Sequence, residues 1–114
     1  MADYCTFCKI IKKEIPATIV FEDDHVLAFN DIKPAAPVHV LLIPKVHVDS
    51  TLEIPDEDPI ASILVHRATQ VAKMLGIAPG GFRLVFNNGD NGGQTVYHLH
   101  LHLLGGRFMT WPPG

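Results

Sequence analysis

Three histidines alternate with leucines near the end of the chain, where residues 98–103 read His-Leu-His-Leu-His-Leu. In an extended strand successive side chains point to opposite faces. The pattern therefore predicts a strand over residues 97–104, with a leucine face for a core and a histidine face whose imidazoles lie roughly 6.6–7 Å apart. Imidazole changes charge near neutral pH and also binds metals. The histidine face is thus a candidate for metal binding or for proton and nucleophile chemistry.

A loop rich in glycine and asparagine comes directly before these histidines. Residues 87–95 read Asn-Asn-Gly-Asp-Asn-Gly-Gly-Gln-Thr, a composition that favours irregular backbone. Alone, such a loop is typical of a hairpin connection. Because glycine lets backbone N–H groups approach a ligand closely, the loop can also hold an anion. Next to a histidine strand it indicates chemistry on phosphorus, with the loop holding the phosphate oxygens.

The composition limits the classes of function. The chain has 114 residues, enough for one domain over residues 1–114, and 47% of them are hydrophobic. The net charge is −3 and no basic stripe occurs, which disfavours a nucleic-acid partner. No apolar run approaches the ~18 residues that a membrane span needs, and the start lacks a signal-peptide pattern. We expect no membrane partner and a cytoplasmic location, with the nucleus as the alternative.

The periodicity of apolar residues predicts the secondary structure. A long helix follows from apolar residues that recur every three or four positions from Ile60 to Leu75, with Asp58 and Pro59 at its start and Gly76 at its end. The remaining elements are a short helix over 5–13 and strands over 17–22, 25–30, 38–43 and 83–87. Together they predict an α+β fold, an antiparallel β-sheet meander with the long helix and the short N-terminal helix packed on one face.

Residues 98–104 match the pattern His-φ-His-φ-His-φ-φ, in which φ is an apolar residue, and so resemble the histidine triad superfamily. Further stretches are similar to its Hint branch, the histidine triad nucleotide-binding proteins: residues 21–24, 28–32, 37–45, 92–97, 104–107 and 111–114. The resemblance covers nearly the whole chain. It implies a HIT-like fold, a homodimer and hydrolysis of adenosine 5′-monophosphoramidates to AMP through a covalent nucleotidyl-histidine.

The catalytic roles combine this resemblance with the chemistry of the side chains. His100, central in the triad, would be the nucleophile, and His102 would bind the phosphate and pass a proton to the leaving group. The Thr95 hydroxyl and the N–H groups of residues 93–95 would stabilise charge on phosphorus. His39 would join the triad as a fourth histidine, or would simply be a hydrogen-bonded histidine in a buried strand.

The resemblance also implies a site for a purine nucleotide, with AMP or GMP as product. Asp31 would accept both ribose hydroxyls, unless it is an ordinary loop aspartate. Three apolar side chains would form a slot for the base, although they are equally suited to a plain core. The predicted substrate-binding residues are Phe7, Phe29, Asp31, Ile32, Asn87, Gly93, Gln94, Thr95, His100 and His102.

Cys5 and Cys8 form a Cys-x-x-Cys pair, the spacing of a metal knuckle or a redox pair. A closed tetrahedral zinc site needs two more ligands, for which His47 and His98 are the candidates. A zinc-binding subset of the superfamily has this pattern. Zinc would be structural, and the chemistry itself would need no cofactor. The alternative is a pair of reduced thiols, with His98 hydrogen-bonded near the nucleophile.

Two other functions remain open from the sequence. One is a dinucleoside polyphosphate hydrolase or nucleotidylyl transferase of the same superfamily, against which the tail over residues 105–114 argues because it resembles the Hint branch. The other is a non-catalytic scaffold protein that binds a nucleotide as a regulatory ligand.

Overall fold

The computed structural model describes residues 4–114 and arranges them as a five-stranded antiparallel sheet with two α-helices. The first three strands form a meander, and the last strand lies between the third and the fourth, so the predicted meander is interrupted there. The α+β class and the antiparallel sheet are confirmed. The elements are α1 (Thr6–Ile11), β1 (Ile19–Glu22), β2 (Val26–Asn30), β3 (Val38–Pro44), α2 (Ile60–Met74), β4 (Phe82–Phe86) and β5 (Leu101–Gly105), in the sheet order β1-β2-β3-β5-β4.

The two helices cover opposite faces of this sheet. In β3, Val40 and Leu42 belong to the apolar cluster that α2 completes, whereas Leu41 and Ile43 belong to the cluster that contains α1. Since successive strand residues point to opposite faces, α1 and α2 lie on different sides. The prediction that both helices share one face is therefore wrong. The central strands are apolar on both faces, and each apolar face is buried by a different helix.

Helix α2 begins and ends where the sequence predicts. The Asp58 carboxylate accepts a hydrogen bond from the Ile60 N–H at 2.9 Å, which satisfies a donor that has no partner inside the helix. Gly76 follows the last turn with φ +77°, the left-handed conformation that favours glycine at this position. Apart from the histidine strand, the other predicted bounds differ from the observed ones by at most two residues, as helix and strand ends commonly do.

The histidine segment is less regular than predicted. Strand β5 begins at Leu101, and the residues before it leave the ladder because the Leu99 N–H donates to the Val48 carbonyl at 2.7 Å. Pairing with β3 starts only where Leu101 lies opposite Leu42. The leucines at 99, 101 and 103 still share the buried face against α2, as expected. No helix within residues 4–114 is long and apolar enough to span a bilayer.

Candidate active site

A cavity of about 410 Å³ opens on the sheet face that carries α1. Apolar side chains from α1 and β2 form one part of its wall, and two histidines and a carboxylate face the same space. The structure therefore brings together most of the residues predicted to bind substrate. Those that line the cavity are Phe7, Phe29, Asp31, Ile32, Thr95, His100 and His102.

The apolar wall is built from two phenylalanines that also belong to the core. The Phe7 ring meets the Phe29 ring edge to face at 5.4 Å between centroids, and it meets the His100 ring in the same way at 5.2 Å. Edge-to-face contacts favour one ring orientation. Phe7 and Phe29 thus serve as core and as a slot at once, while Ile32, 92% exposed, lies at the rim.

His100 is held by the backbone two residues before it. Its Nδ1 lies 2.7 Å from the His98 carbonyl oxygen, and a carbonyl oxygen can only accept a hydrogen bond. The Nδ1 atom therefore carries the proton, and in the neutral ring Nε2 keeps its lone pair. Burial lowers the pKa of His100, against the opposing effects of this hydrogen bond and of the Asp31 charge. This is the nitrogen arrangement that a nucleophilic imidazole needs.

His102 is oriented by His39, which lies beside it. The Ala35 N–H donates to His39 Nδ1 at 3.0 Å, so this nitrogen has no proton and the neutral ring carries it on Nε2. His39 Nε2 lies 2.9 Å from His102 Nδ1 and donates to it. The His102 proton is then on Nε2. A chain of two donated hydrogen bonds thus fixes His102 as a donor at its outer nitrogen.

Asp31 lies next to this pair of histidines. Its Oδ2 is 3.5 Å from His39 Nε2, and its Oδ1 accepts a hydrogen bond from the Lys33 N–H at 2.8 Å. The ligand atoms of Asp31, His39 and His102 lie within 4.8 Å of one another, close enough to hold a metal ion. However, His39 Nε2 carries a proton because Ala35 occupies Nδ1. The group is therefore a hydrogen-bonded cluster and does not suit a cation.

Three predicted substrate residues lie outside the cavity lining. Gly93 has φ +80° and shapes the loop, and the Asn87 side chain donates to the Gly92 carbonyl at 2.7 Å. The Gln94 side chain is buried and points into the protein, where backbone groups bind it. Within the loop over 87–95, Thr95 alone lines the cavity.

The four predicted metal ligands form a second cluster, next to His100. The Cys5 Sγ lies 3.4 Å from His98 Nδ1, and the Cys8 Sγ lies 3.3 Å from His47 Nδ1. The ligand atoms of all four are within 4.8 Å of one another. A tetrahedral zinc with ordinary bond lengths separates sulfur from nitrogen by about 3.5 Å. The residues therefore fit a zinc ion in both donor type and spacing.

Both histidines of this cluster are prepared to act as ligands. His98 Nε2 lies 2.9 Å from the Pro44 carbonyl, and His47 Nε2 lies 2.8 Å from an Asp49 carboxylate oxygen. These acceptors hold the proton on Nε2 and leave the Nδ1 lone pair facing the thiols. Such outer hydrogen bonds usually accompany metal-binding histidines.

The sequence did not predict several groups that orient the site histidines or anchor the glycine loop. The Ala35 N–H and the carbonyls of Pro44 and His98 are backbone groups, which every residue has, so no sequence signal marks them. Asp49 is different, because a carboxylate two residues after a candidate ligand histidine is visible in the sequence. Asn88 was also missed. Its Oδ1 accepts from the N–H and the hydroxyl of Thr51, at 2.9 and 2.7 Å, and ties the loop to the body.

The family follows from a comparison with known sequences. The HIT domain family matches residues 12–109, so the chain belongs to the HIT domain family. A relative from Arabidopsis thaliana named adenylylsulfatase HINT1 is 57% identical, over 95% of this chain and 75% of its own length. The 14 kDa zinc-binding protein of Brassica juncea is 54% identical, over 95% and 97%.

A solved structure agrees with this membership. The crystal structure of a HIT family hydrolase from Legionella pneumophila Philadelphia 1 superposes with a TM-score of 0.94 at 54% identity, over 96% of this chain and 99% of that chain. The fold and the resemblance to the Hint branch are confirmed. These relatives also support the coarser functional prediction, a hydrolase of the HIT family.

The surroundings of His102 lead to a prediction on pH. Burial lowers the pKa of His102 from 6.5 to about 4, and the neighbouring His100 and His39 act in the same direction. Between these values the unfolded chain binds a proton that the folded chain does not. The free energy of unfolding should therefore fall as the pH drops from 6.5 towards 4, and His102 should contribute no pH dependence above 6.5.

Urea unfolding at about pH 7 and about pH 5 measures this effect in the wild type and in His102→Asn. The variant has no group to protonate at this position, so it should lose less stability between the two pH values. Equal losses in the two proteins would show that His102 titrates normally in the folded state.

Proposed function

We propose that the protein is a nucleoside phosphoramidase, which hydrolyses adenosine 5′-monophosphoramidates to AMP. The hydrogen bond between His98 and His100 carries this proposal, because it leaves an unprotonated nitrogen on a buried ring beside an apolar slot. The base of the nucleotide would lie between the two phenylalanine rings, Phe7 and Phe29, and the Ile32 side chain at the rim. Asp31 would accept the ribose hydroxyls, and the phosphate would face His100, His102 and Thr95.

The reaction would proceed in two displacements at phosphorus. His100 Nε2 attacks, a bond forms between this nitrogen and phosphorus, and the bond from phosphorus to the leaving amine breaks. The anionic phosphate favours the protonated form of His102, whose Nδ1 then also carries a proton, so the His39 Nε2–H would turn from His102 to the Asp31 carboxylate, 3.5 Å away. The protonated His102 then delivers its Nε2 proton to the departing nitrogen. Water attacks the nucleotidyl-histidine, gives its proton back to His102 and releases AMP. The Thr95 hydroxyl stabilises the charge on the phosphoryl oxygens in both steps.

A second candidate substrate has sulfate in place of the amine. One relative is named an adenylylsulfatase, and adenylyl sulfate presents the same adenylyl phosphorus to a nucleophile. Sulfate leaves as a stable anion and needs no proton, whereas an amine does. His102→Asn should therefore slow the hydrolysis of the phosphoramidate far more than the hydrolysis of adenylyl sulfate. A dinucleoside polyphosphate, assayed in parallel, tests the alternative function of a dinucleoside polyphosphate hydrolase.

The nucleophile is tested by His100→Asn, measured with a fluorogenic adenosine phosphoramidate. Asparagine roughly fills the space of imidazole, so AMP should still bind, whereas kcat should fall by at least about 1,000-fold because no covalent intermediate forms. His66→Asn, at an exposed position of α2, is the matched control and should keep full activity.

Full turnover in His100→Asn would reject the nucleophile. Absence of turnover in the wild type with all three substrates, together with tight AMP binding, would instead favour the scaffold protein.

We further propose that Cys5, Cys8, His47 and His98 hold one structural zinc ion. The spacing of sulfur and nitrogen supports this, as does the name of the Brassica juncea relative. When bound, the ion would supply a crosslink between α1, the chain after β3 and the histidine segment. It would leave the Nε2 atoms of His100 and His102 free for the reaction.

Metal analysis of protein purified without chelator should find about one zinc per chain. His47→Asn should lower both the zinc content and the melting temperature, because it removes one of four ligands. His25→Asn, at an exposed turn, is the control and should change neither. Stoichiometric zinc in His47→Asn, or less than about a tenth of an equivalent in a stable wild type, would contradict the site.

The remaining part of the proposal is a cytoplasmic homodimer. Strand β4 lies at the edge of the sheet and all five of its residues are only partly buried, so it can pair with a second copy. Sedimentation velocity at micromolar concentration should show twice the 12.5 kDa mass of the chain. A species of single mass would contradict the dimer.

A further inference from the structure

The Gln94 side chain lies inside the protein, although the sequence suggested that it binds substrate. It is 6% exposed and uses its whole carboxamide on backbone groups. Oε1 accepts from the Gly89 N–H at 3.0 Å, and Nε2 donates to the carbonyls of Asp49 at 2.6 Å and Val96 at 3.1 Å. A buried amide with every donor satisfied holds its partners firmly, because breaking any of these bonds leaves a buried polar group unpaired.

These bonds connect the glycine loop to the chain after β3. Gly89 lies in the loop and Asp49 lies in the other segment, so the carboxamide spans the gap between them. The Asn88 side chain makes a parallel connection to Thr51. The Gln94 N–H also donates to the Gly89 carbonyl at 3.0 Å, which closes the loop on itself. Despite its glycines, the loop is therefore anchored at both of its ends.

Thr95 lies between the anchored groups. The residue before it carries the buried carboxamide, and the carbonyl of Val96, the residue after it, accepts one of the carboxamide hydrogens. Thr95 itself is exposed and lines the cavity that His100 and His102 share. The anchors on both sides thus fix the backbone of Thr95, and with it the position of the Cβ atom that carries the hydroxyl.

We infer that Gln94 is a positioning residue for the reaction, which holds the Thr95 hydroxyl against the phosphoryl group in the transition state. The inference rests on the proposed function. One well-placed donor to a developing negative charge is commonly worth about 100–1,000-fold in rate. A displacement of about 1 Å can cost about 100-fold. Loosening the anchor should therefore act on the chemical step.

The effect should separate kcat from nucleotide binding. Adenosine would be held by Phe7, Phe29 and Asp31, and Gln94 makes no hydrogen bond to any of the three. Loss of an interaction that is much stronger in the transition state than in the ground state lowers kcat far more than it weakens nucleotide binding. Mutation of a residue that merely supports the fold would instead reduce turnover and AMP binding together, in proportion to the loss of folded protein.

The test is Gln94→Glu, measured with the fluorogenic adenosine phosphoramidate. The side chain keeps its shape but replaces both N–H donors by an oxygen, which then faces the carbonyls of Asp49 and Val96. We expect kcat to fall about 100-fold, while the Kd for AMP stays within about twofold of the wild type. Gln70→Glu, the same change at an exposed position of α2, should leave both constants unchanged.

Gln94→Met controls for the charge that Gln94→Glu buries, since methionine removes the hydrogen bonds of the carboxamide without adding a charge. On a Thr95→Val background, Gln94→Met should cost much less than it does alone, because the donor that it positions is already absent.

Unchanged kcat in both Gln94 variants, additive losses with Thr95→Val, or loss of folded structure by circular dichroism in both variants would each overturn the inference. A wild type without turnover would overturn the proposed function as well, so the two failures are distinguishable.

Discussion

The arrangement of the site depends on His98, which serves two clusters at once. Its imidazole is fully buried, with Nδ1 facing the thiols and Nε2 on the Pro44 carbonyl. Its own carbonyl accepts the Nδ1–H of His100. Because the ring is fixed on both nitrogens, the peptide that carries this carbonyl is fixed as well. The proposed metal ligands and the proposed nucleophile are therefore mechanically connected through one residue, although the two would have no chemistry in common.

The two-faced sheet explains how a small domain has both a solid core and a polar site. The leucines of the histidine segment pack against α2, and the alternation of the strand turns His102 to the other face, opposite Leu41 in β3. On that face α1 contributes Phe7 to the cavity wall, and Cys8 of α1 and the N-cap residue Cys5 belong to the cluster of proposed metal ligands. The short helix thus lies beside the apolar slot, the proposed nucleophile and the proposed metal ligands, while α2 packs against the opposite face of the sheet.

The sequence predicted the features that depend on side-chain type and spacing. The strand alternation placed the leucines in a core, the Cys-x-x-Cys pair and two histidines proved to form one cluster, and Asp58 and Gly76 marked the ends of α2. It did not predict what depends on tertiary packing. The opposite placement of α1, the late start of β5 and the inward turn of Gln94 all result from contacts distant in sequence. The carbonyl that holds His100 was invisible because it is backbone.

The central claim is that His100, with its proton held on Nδ1, attacks phosphorus through Nε2. Wild-type protein quenched during turnover of an adenosine phosphoramidate and mapped by mass spectrometry tests it most directly. The account predicts an adenylyl group on the peptide at His100, with the phosphorus–nitrogen bond at Nε2 in NMR spectra of labelled protein. An adenylyl group on His102 or His39, a bond at Nδ1, or no adduct when the quench is faster than turnover would contradict the account.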